Sequence, residues 1–324
     1  MQASKESLEL PLESRPRPGL EIASSRVGAV GGGVRVDLAV REVFRPASVH
    51  EALALLAARP DAAPLAGGTD LLVQLRDGRR PPSVLVDLGE LGLGGIRVSD
   101  AGTEIGAATR MDVIAADAHI RRFYPALAAG AAVVGAWPIQ CRATLGGNLA
   151  NASPAADTAP PLLVEGATVL LVSTTGERRV AVEDFFLAPG RTALARGELI
   201  LSVVLPRPPM VSGARLFERF VKVGPRREQI ISVVSLAGRA LVLPDGTLAE
   251  VRLALGSVAP TPLRARRTES VLNGKRPAGA TRREALLTLE EEIAPIDDVR
   301  APARYRRIAA AVVLDRFLTE ASRA

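Results

Sequence analysis

The sequence predicts an α+β protein: a two-part α/β region, then a C-terminal α+β region with a small antiparallel sheet and helices. Three observations carry this. Residues 63–89 read strand, glycine turn, helix, strand, the pattern of an α/β unit. Residues 96–208 add strands joined by hairpin turns and interrupted by helices. Residues 215–259 alternate strands about Asp245-Gly246, and only helical patterns follow.

Taken in order, residues 1–39 mix Ser, Pro, Glu, Arg and Gly and read as a flexible N-terminal extension. Its "GAVGGG" run has neither a strong strand before it nor a helix after it, so a dinucleotide fingerprint is rejected. The expected division is then 40–95 and 96–213 as two subdomains and 214–324 as a C-terminal subdomain. Ser48 and Glu51 form a capping box for a helix that Pro60 ends, with His50 exposed in its first turn. "APLA" (63–66) is a strand, "GGTD" a turn, "LLVQLRDG" a helix ending at Gly78, and "SVLVDLG" (83–89) a strand. A hairpin turning at Asp-Ala-Gly and a capped helix from about Met111 fill 96–117, with His119 as a surface residue after that helix. "FYPALAAGAAVVGAW" (123–137) reads as helical, 167–186 as two strands about Thr175-Gly176, and 197–208 as a strong strand. The closing helices are 281–293, with Thr281 as cap, and 304–322.

Composition removes several function classes. The chain has 324 residues, 48% hydrophobic and 23% charged, which is a globular balance. Its longest nearly apolar run, 126–139, is rich in Ala and Gly and broken by Pro138, so it is not read as a membrane span. The N-terminus has no basic start leading into an apolar core, so no secretory signal is read and the cytoplasm is the expected compartment. The single cysteine, Cys141, cannot form an internal disulfide or hold an iron–sulfur cluster. His50 and His119 lie far apart, which argues against a zinc site or a histidine-based nucleophilic site. A net charge of +6 and a pI of about 10.3 raise a nucleic-acid reading. With aromatics at 3% there are too few stacking platforms for it. Arginines clustered at 263–267 and 304–307 fit better with an acidic partner subunit or with plain solubility.

Two glycine-rich stretches remain: Gly67-Gly68-Thr69-Asp70 and Thr144-Leu145-Gly146-Gly147-Asn148, the second running into small residues up to Asp157. Glycine lets a ligand lie on the backbone and lets successive amides converge on an anion. The first stretch also opens a helix, whose N-terminal dipole favours phosphate, with Asp70 as the cap of its free amides. Thr69, Thr144 and Asn148 offer neutral donors suited to a diphosphate or an extended polar cofactor. Taken singly, each stretch fits an ordinary tight turn equally well. No Walker sequence is present.

"PLAGGTDLLVQLRDG" (64–78) and "ATLGGNLANASPAADTAPPLL" (143–163) resemble the two flavin-binding signatures of the FAD-binding medium subunits of molybdenum hydroxylases, the xanthine dehydrogenase and carbon monoxide dehydrogenase family. "FRPASVHEALALLA", "TEIGAATRMDVIA", "VEDFFLAPGRTALARGELILSVVLP" and "RFVKVGPRREQIISVVSLAGRA" are similar to further family segments, so the resemblance spans residues 40–320. It implies a two-part FAD-binding domain of the PCMH type followed by the C-terminal subdomain. It also implies FAD held by Ala66, Gly67, Gly68, Thr69 and Asp70 around the pyrophosphate. Thr144, Leu145, Gly146, Gly147 and Asn148 would form a second loop nearer the flavin. On the same resemblance Asp157 contacts the adenosine part, Ile200 gives a backbone contact to the adenine, and Lys222 places a cation near the isoalloxazine ring. Where the family often reads Ile-Arg-Asn-Arg, this chain has Ile139-Gln140-Cys141-Arg142, which sets Cys141 beside the second loop by chain position only.

The function implied is electron transfer through FAD, with no catalytic side chain and no metal in this chain. A large molybdenum-cofactor subunit would hydroxylate the substrate, and a small subunit would pass electrons through 2Fe-2S clusters. The assembly would be a heterotrimer or its dimer, discharging to NAD, a quinone or oxygen, with no nucleic acid and no membrane span. "KVGPRREQIIS" leans towards xanthine dehydrogenase-type members. Two alternatives stand beside this. A self-contained PCMH-fold flavin oxidase or reductase would need its own substrate pocket and proton donor. A non-catalytic assembly subunit would not need Gly67, Gly68, Gly146, Gly147 and Asn148 intact.

Overall fold

The computed structural model describes residues 40–78, 82–226 and 229–323. The N-terminal extension expected over 1–39 lies outside the described residues. The first elements are β1 (Glu42–Phe44), α1 (Val49–Ala58), β2 (Ala62–Leu65), α2 (Leu71–Arg76) and β3 (Val84–Asp87). They build a parallel sheet in the order β1-β3-β2. Central β3 buries Val84, Leu85 and Val86 in succession, as a strand covered on both faces must. Ser48 Oγ accepts the Glu51 amide at 3.2 Å, and Glu51 Oε2 reaches back to the Ala47 amide at 2.8 Å, one residue before the usual capping-box position. Spacing along α1 then turns Ala52, Leu53 and Leu56 inward onto Val86, Leu88 and, from later in the chain, Leu199. His50 is exposed, as read.

Next come β4 (Ile96–Ser99), β5 (Gly102–Gly106), α3 (Met111–Ala116), α4 (Ala118–Phe123), α5 (Pro125–Ala131), α6 (Trp137–Gln140), α7 (Leu145–Ala150) and α8 (Ala159–Glu165). They are followed by β6 (Thr168–Ser173), β7 (Gly176–Ala181), α9 (Val182–Phe185), β8 (Phe186–Ala188), β9 (Arg191–Thr192) and β10 (Leu199–Leu205). The sheet order β4-β5-β10-β6-β7 is antiparallel throughout and includes both hairpins read from sequence. Met111, Ile120, Tyr124, Leu145, Leu149, Leu162 and Phe185 fill the space between this sheet and its helices.

Three local expectations change here. The helix expected over 123–137 is α5 and α6 separated by a turn, because Pro138 suits only the first turn of a new helix. His119 follows α3, as read, but lies inside the next helix α4, and its Nε2 is 2.8 Å from Thr103 Oγ1. Asp117 supplies that helix with its cap by accepting the Ile120 amide at 2.8 Å. The helix at Met111 has no side-chain cap, since Arg110 holds the cap position.

The last elements are β11 (Arg215–Val223), β12 (Val234–Val242), β13 (Leu248–Gly256), β14 (Leu263–Arg264), α10 (Arg266–Leu272), α11 (Gly279–Glu292) and α12 (Ala303–Arg323). The antiparallel sheet β11-β12-β13-β14 packs one face on α12, with Phe317, Leu314 and Val313 against Leu236, Leu253 and Leu255. Its other face meets α8, which is why every residue of β12 is buried. Helix α11 begins at Gly279 with Ala278 in the cap position, so Thr281 is inside the helix and is not its cap. Arginines of both clusters are paired within the chain, some at its surface and some buried. Arg264, Arg266 and Arg267 pair with Glu269, Glu183 and Glu291, while Arg306 is buried against Asp298 and the Val233 and Ser257 carbonyls. Among the described residues no helix is long and apolar enough to cross a membrane.

Candidate functional site: a cavity between the glycine stretches

The two glycine stretches meet. A Cβ built on Gly67 would lie 1.9 Å from the Arg142 carbonyl oxygen, and one on Gly146 would lie 2.8 Å from Ala107 Cβ. Both glycines are therefore required by contact between chain segments. The second stretch is held by an antiparallel pairing of 107–111 with 143–146. Met111 N donates to Ala143 O, Leu145 N to Thr109 O, and Gly146 N to Ala107 O, at 2.8–3.0 Å. Ala107 is in turn held by the bulge of β10, where its amide reaches Leu201 O at 3.0 Å.

The second stretch, expected as a loop, is the start of α7. Thr144 is its cap, with Oγ1 accepting the Gly147 amide at 3.1 Å. The amides of Leu145, Gly146, Gly147 and Asn148 all have protein acceptors. In the first stretch the amides of Gly67, Gly68, Thr69 and Asp70 have none among the described residues. Asp70 does not cap α2 through its side chain, contrary to the sequence reading. Its carboxyl, exposed but crowded by neighbouring protein, is pushed above its ordinary value by partial desolvation.

Between the stretches lies a cavity of about 500 Å³. Of the residues singled out from the sequence, Ala66, Gly67, Gly68, Thr69, Asp70, Thr144, Gly146, Gly147, Asn148, Asp157 and Ile200 line it. Leu145 is fully buried in the core behind it, and Lys222 is not on its wall. Gln74 Nε2 donates to Asn151 Oδ1 at 3.1 Å and ties α2 to the end of α7 across one side. Asn148 Oδ1 accepts from Thr158 Oγ1 at 2.6 Å. The third wall was not read from the sequence as part of a site. It comprises Val134, Gly135, Gln229, Ile230 and Ile231, and the Gln229 amide donates to Gly135 O at 2.9 Å. Gln229 holds a φ of 49°, a strained value for a residue other than glycine, and that is invisible in sequence.

Three carboxylates reach this cavity. Glu198 is held below its usual value by Arg178, which pairs with both its oxygens at 2.7 Å. Asp157 is buried, and desolvation pushes its carboxyl up against the opposing pull of Lys222 and Ser232. Neither histidine nor the cysteine lines the cavity, and among the described residues no cluster of three or more His, Cys, Asp or Glu could hold a metal ion. Free amides, amide and hydroxyl side chains and an apolar wall suit a long, polar, anionic cofactor better than a small substrate needing acid–base help.

Residues 38–208 match the family described as "FAD binding domain in molybdopterin dehydrogenase", and residues 219–321 match "CO dehydrogenase flavoprotein C-terminal domain". The chain belongs to this family of FAD-binding oxidoreductase subunits. It is similar to the xanthine dehydrogenase FAD-binding subunit of Escherichia coli O157:H7, with 32% identity over 81% of this chain and 89% of that one. It is 31% identical to the carbon monoxide dehydrogenase medium chain of Afipia carboxidovorans, over 86% of this chain and 96% of the relative. Among solved structures, reconstituted CO dehydrogenase from Oligotropha carboxidovorans superposes with a TM-score of 0.82 at 29% identity, covering 91% of this chain and 99% of that one. Quinoline 2-oxidoreductase from Pseudomonas putida 86 gives 0.80 at 29% identity, covering 88% and 97%.

Proposed function

We propose that this chain carries electrons through FAD within a molybdenum hydroxylase, receiving them from iron–sulfur clusters of a small subunit and passing them to an external acceptor. The observation that carries the reading is the cavity wall of Gly67, Gly68, Thr69 and Asp70. Among the described residues their amides have no protein acceptor, next to a second stretch whose Leu145–Asn148 amides are all satisfied. The first stretch would hold the pyrophosphate by its backbone. Asn148, Asn151 and Thr144 would orient the rest of the cofactor, and Ile200 and Leu199 would cover it from β10. FAD supplies the exchange of one or two electrons. The chain's own residues bind and orient it and exclude water, which fits a site without a histidine or cysteine. Residues 40–95 and 96–213 would form the cofactor-holding part, and 214–324 would supply Gln229, Ile230 and Ile231 of the third wall.

Ile139 and Ile231 stand on the wall yet remain 37% and 48% exposed, which leaves apolar surface at the cavity mouth for a partner subunit to cover. The relatives named above serve xanthine, carbon monoxide and quinoline oxidoreductases, so the substrate is set by the partner chain. The test is the visible spectrum and acid-released FAD of the purified chain, then co-purification with its partner chains and a substrate screen. Stoichiometric FAD with flavin absorbance is expected. A colourless chain that takes up no FAD on titration would remove the reading.

A further inference from the structure

Lys222 is the penultimate residue of β11, and Ser232 follows directly on the wall residues Gln229, Ile230 and Ile231. Both bond one carboxylate, and each takes a different oxygen. Lys222 Nζ is 2.6 Å from Asp157 Oδ2, and Ser232 Oγ donates to Asp157 Oδ1 at 2.5 Å. The pair is dry: the side chains of Lys222 and Asp157 are 8% and 7% exposed. Lys222 Nζ also donates to Val133 O at 2.9 Å, next to the wall residues Val134 and Gly135. Asp157 itself lines the cavity, and Lys222 does not.

We propose that Asp157 is a staple that fixes the Gln229–Ile231 wall against the glycine stretches, and that Lys222 and Ser232 serve the cofactor only through it. This rests on the FAD reading above and reassigns Lys222 from a partner of the flavin ring to a positioning residue. Three points support it. The ammonium is oriented by two bonds that both lead into the protein. An ammonium drawn away to the flavin would leave the Asp157 carboxylate buried without its cation, which is costly. The other anchors of this segment lie away from the glycine stretches: the Gln229 amide donates to Gly135 O, Arg226 Nη2 donates to Gln229 O at 2.7 Å, and Ser257 Oγ donates to Ser232 O.

The arrangement predicts non-additive variants. Asp157→Asn turns an amide donor or a weaker acceptor towards Lys222, and Lys222→Met leaves the carboxylate unpaired. Each should lower the fraction of chains with an assembled wall, so a fall to a tenth raises the apparent Kd for FAD about tenfold. The double variant Asp157→Asn/Lys222→Met should bind FAD no worse than Asp157→Asn alone, and the midpoint potential of bound flavin should be unchanged in Lys222→Met. Ser232→Ala keeps the ion pair and should still speed FAD release, which covers the case where Asp157→Asn does not fold. The measurements are flavin fluorescence titration of the full chain freed of FAD, and potentiometry of the loaded chain. Additive losses, or a shifted potential with unchanged Kd in Lys222→Met, overturn the staple. So does wild-type affinity in Ser232→Ala and Asp157→Asn. If the wild-type chain binds no FAD at all, the functional reading fails first, and the two failures are distinct.

Discussion

At Gly67 two backbones come so close that no other residue fits, whatever the cofactor does. Alanine there places its Cβ 1.9 Å from the Arg142 carbonyl oxygen, and backbone on both sides cannot swing aside. Gly67→Ala should cost at least about 2 kcal/mol of stability, read as a lower urea midpoint of the chain freed of FAD. Gly147→Ala is the contrast. Its Cβ meets only Thr144 Oγ1, at 2.9 Å, and alanine regains about 0.5–1 kcal/mol of helix propensity in α7. It should therefore be nearly neutral, and equal costs for the two variants would sink this distinction. The glycine stretches were legible in the sequence because glycine is locally conspicuous. Which side of each glycine faces protein was not, because Arg142 and Ala107 reach them through pairing distant in sequence. Asp70 illustrates the same limit: its position favours a cap, and the side chain makes no cap bond.

Among the elements, the meeting of α8 with β11 and β12 is where burial strains the charges. Glu165, at the end of α8 and fully buried, pairs with Arg239 of β12 at 2.7 Å. Glu218 of β11 accepts the Ala126 amide at 2.8 Å, while its Oε2 is buried with no partner among the described residues. Desolvation first, and then the charge of Glu165, push the Glu218 carboxyl well above its ordinary value. A group whose folded value is raised contributes stability below its unfolded value and loses it as pH rises through the folded one. Thermal unfolding should therefore show stability falling as pH rises from the ordinary glutamate range towards Glu218's raised value and levelling off above it, and Glu218→Gln should flatten that slope. An unchanged slope would place the proton elsewhere. Arg239→Met should cost about 3–5 kcal/mol, because it leaves the buried Glu165 carboxylate without its paired cation. The strands were legible here from their alternation about Asp245-Gly246. Helix α8 and the ion pair were not, since Glu165 meets Arg239 across 74 positions of sequence.

For the molecule as a whole, the cavity draws its walls from the glycine stretches, from β10 and from Gln229–Ile231, so binding there stabilises the native assembly rather than one segment. FAD at 100 times its Kd should add about 2.7 kcal/mol to unfolding, seen as a rise in Tm of the full chain. A flat response to added FAD in a chain freed of it would contradict the shared cavity. The charge of the molecule also reads differently once it is folded. Arginine clusters that look like a basic surface in the sequence are bound to Glu183, Glu269, Glu291 and Asp298, so the +6 balance says little about any one face.

Local chemistry alone determined the α+β class, the hairpins at Thr175-Gly176 and Asp245-Gly246, the cap at Ser48 and the two glycine stretches that mark the family. Each of these depends on residues a few positions apart. Tertiary structure alone decided that Thr144 starts a helix at the cavity, that the free amides belong to the first stretch, and that Gln229–Ile231 close the third wall. It also turned Lys222 onto Asp157, 65 positions away. A buried charge takes whichever partner the packed chain brings within hydrogen-bond reach, and that partner is set by the fold rather than by its neighbours in sequence.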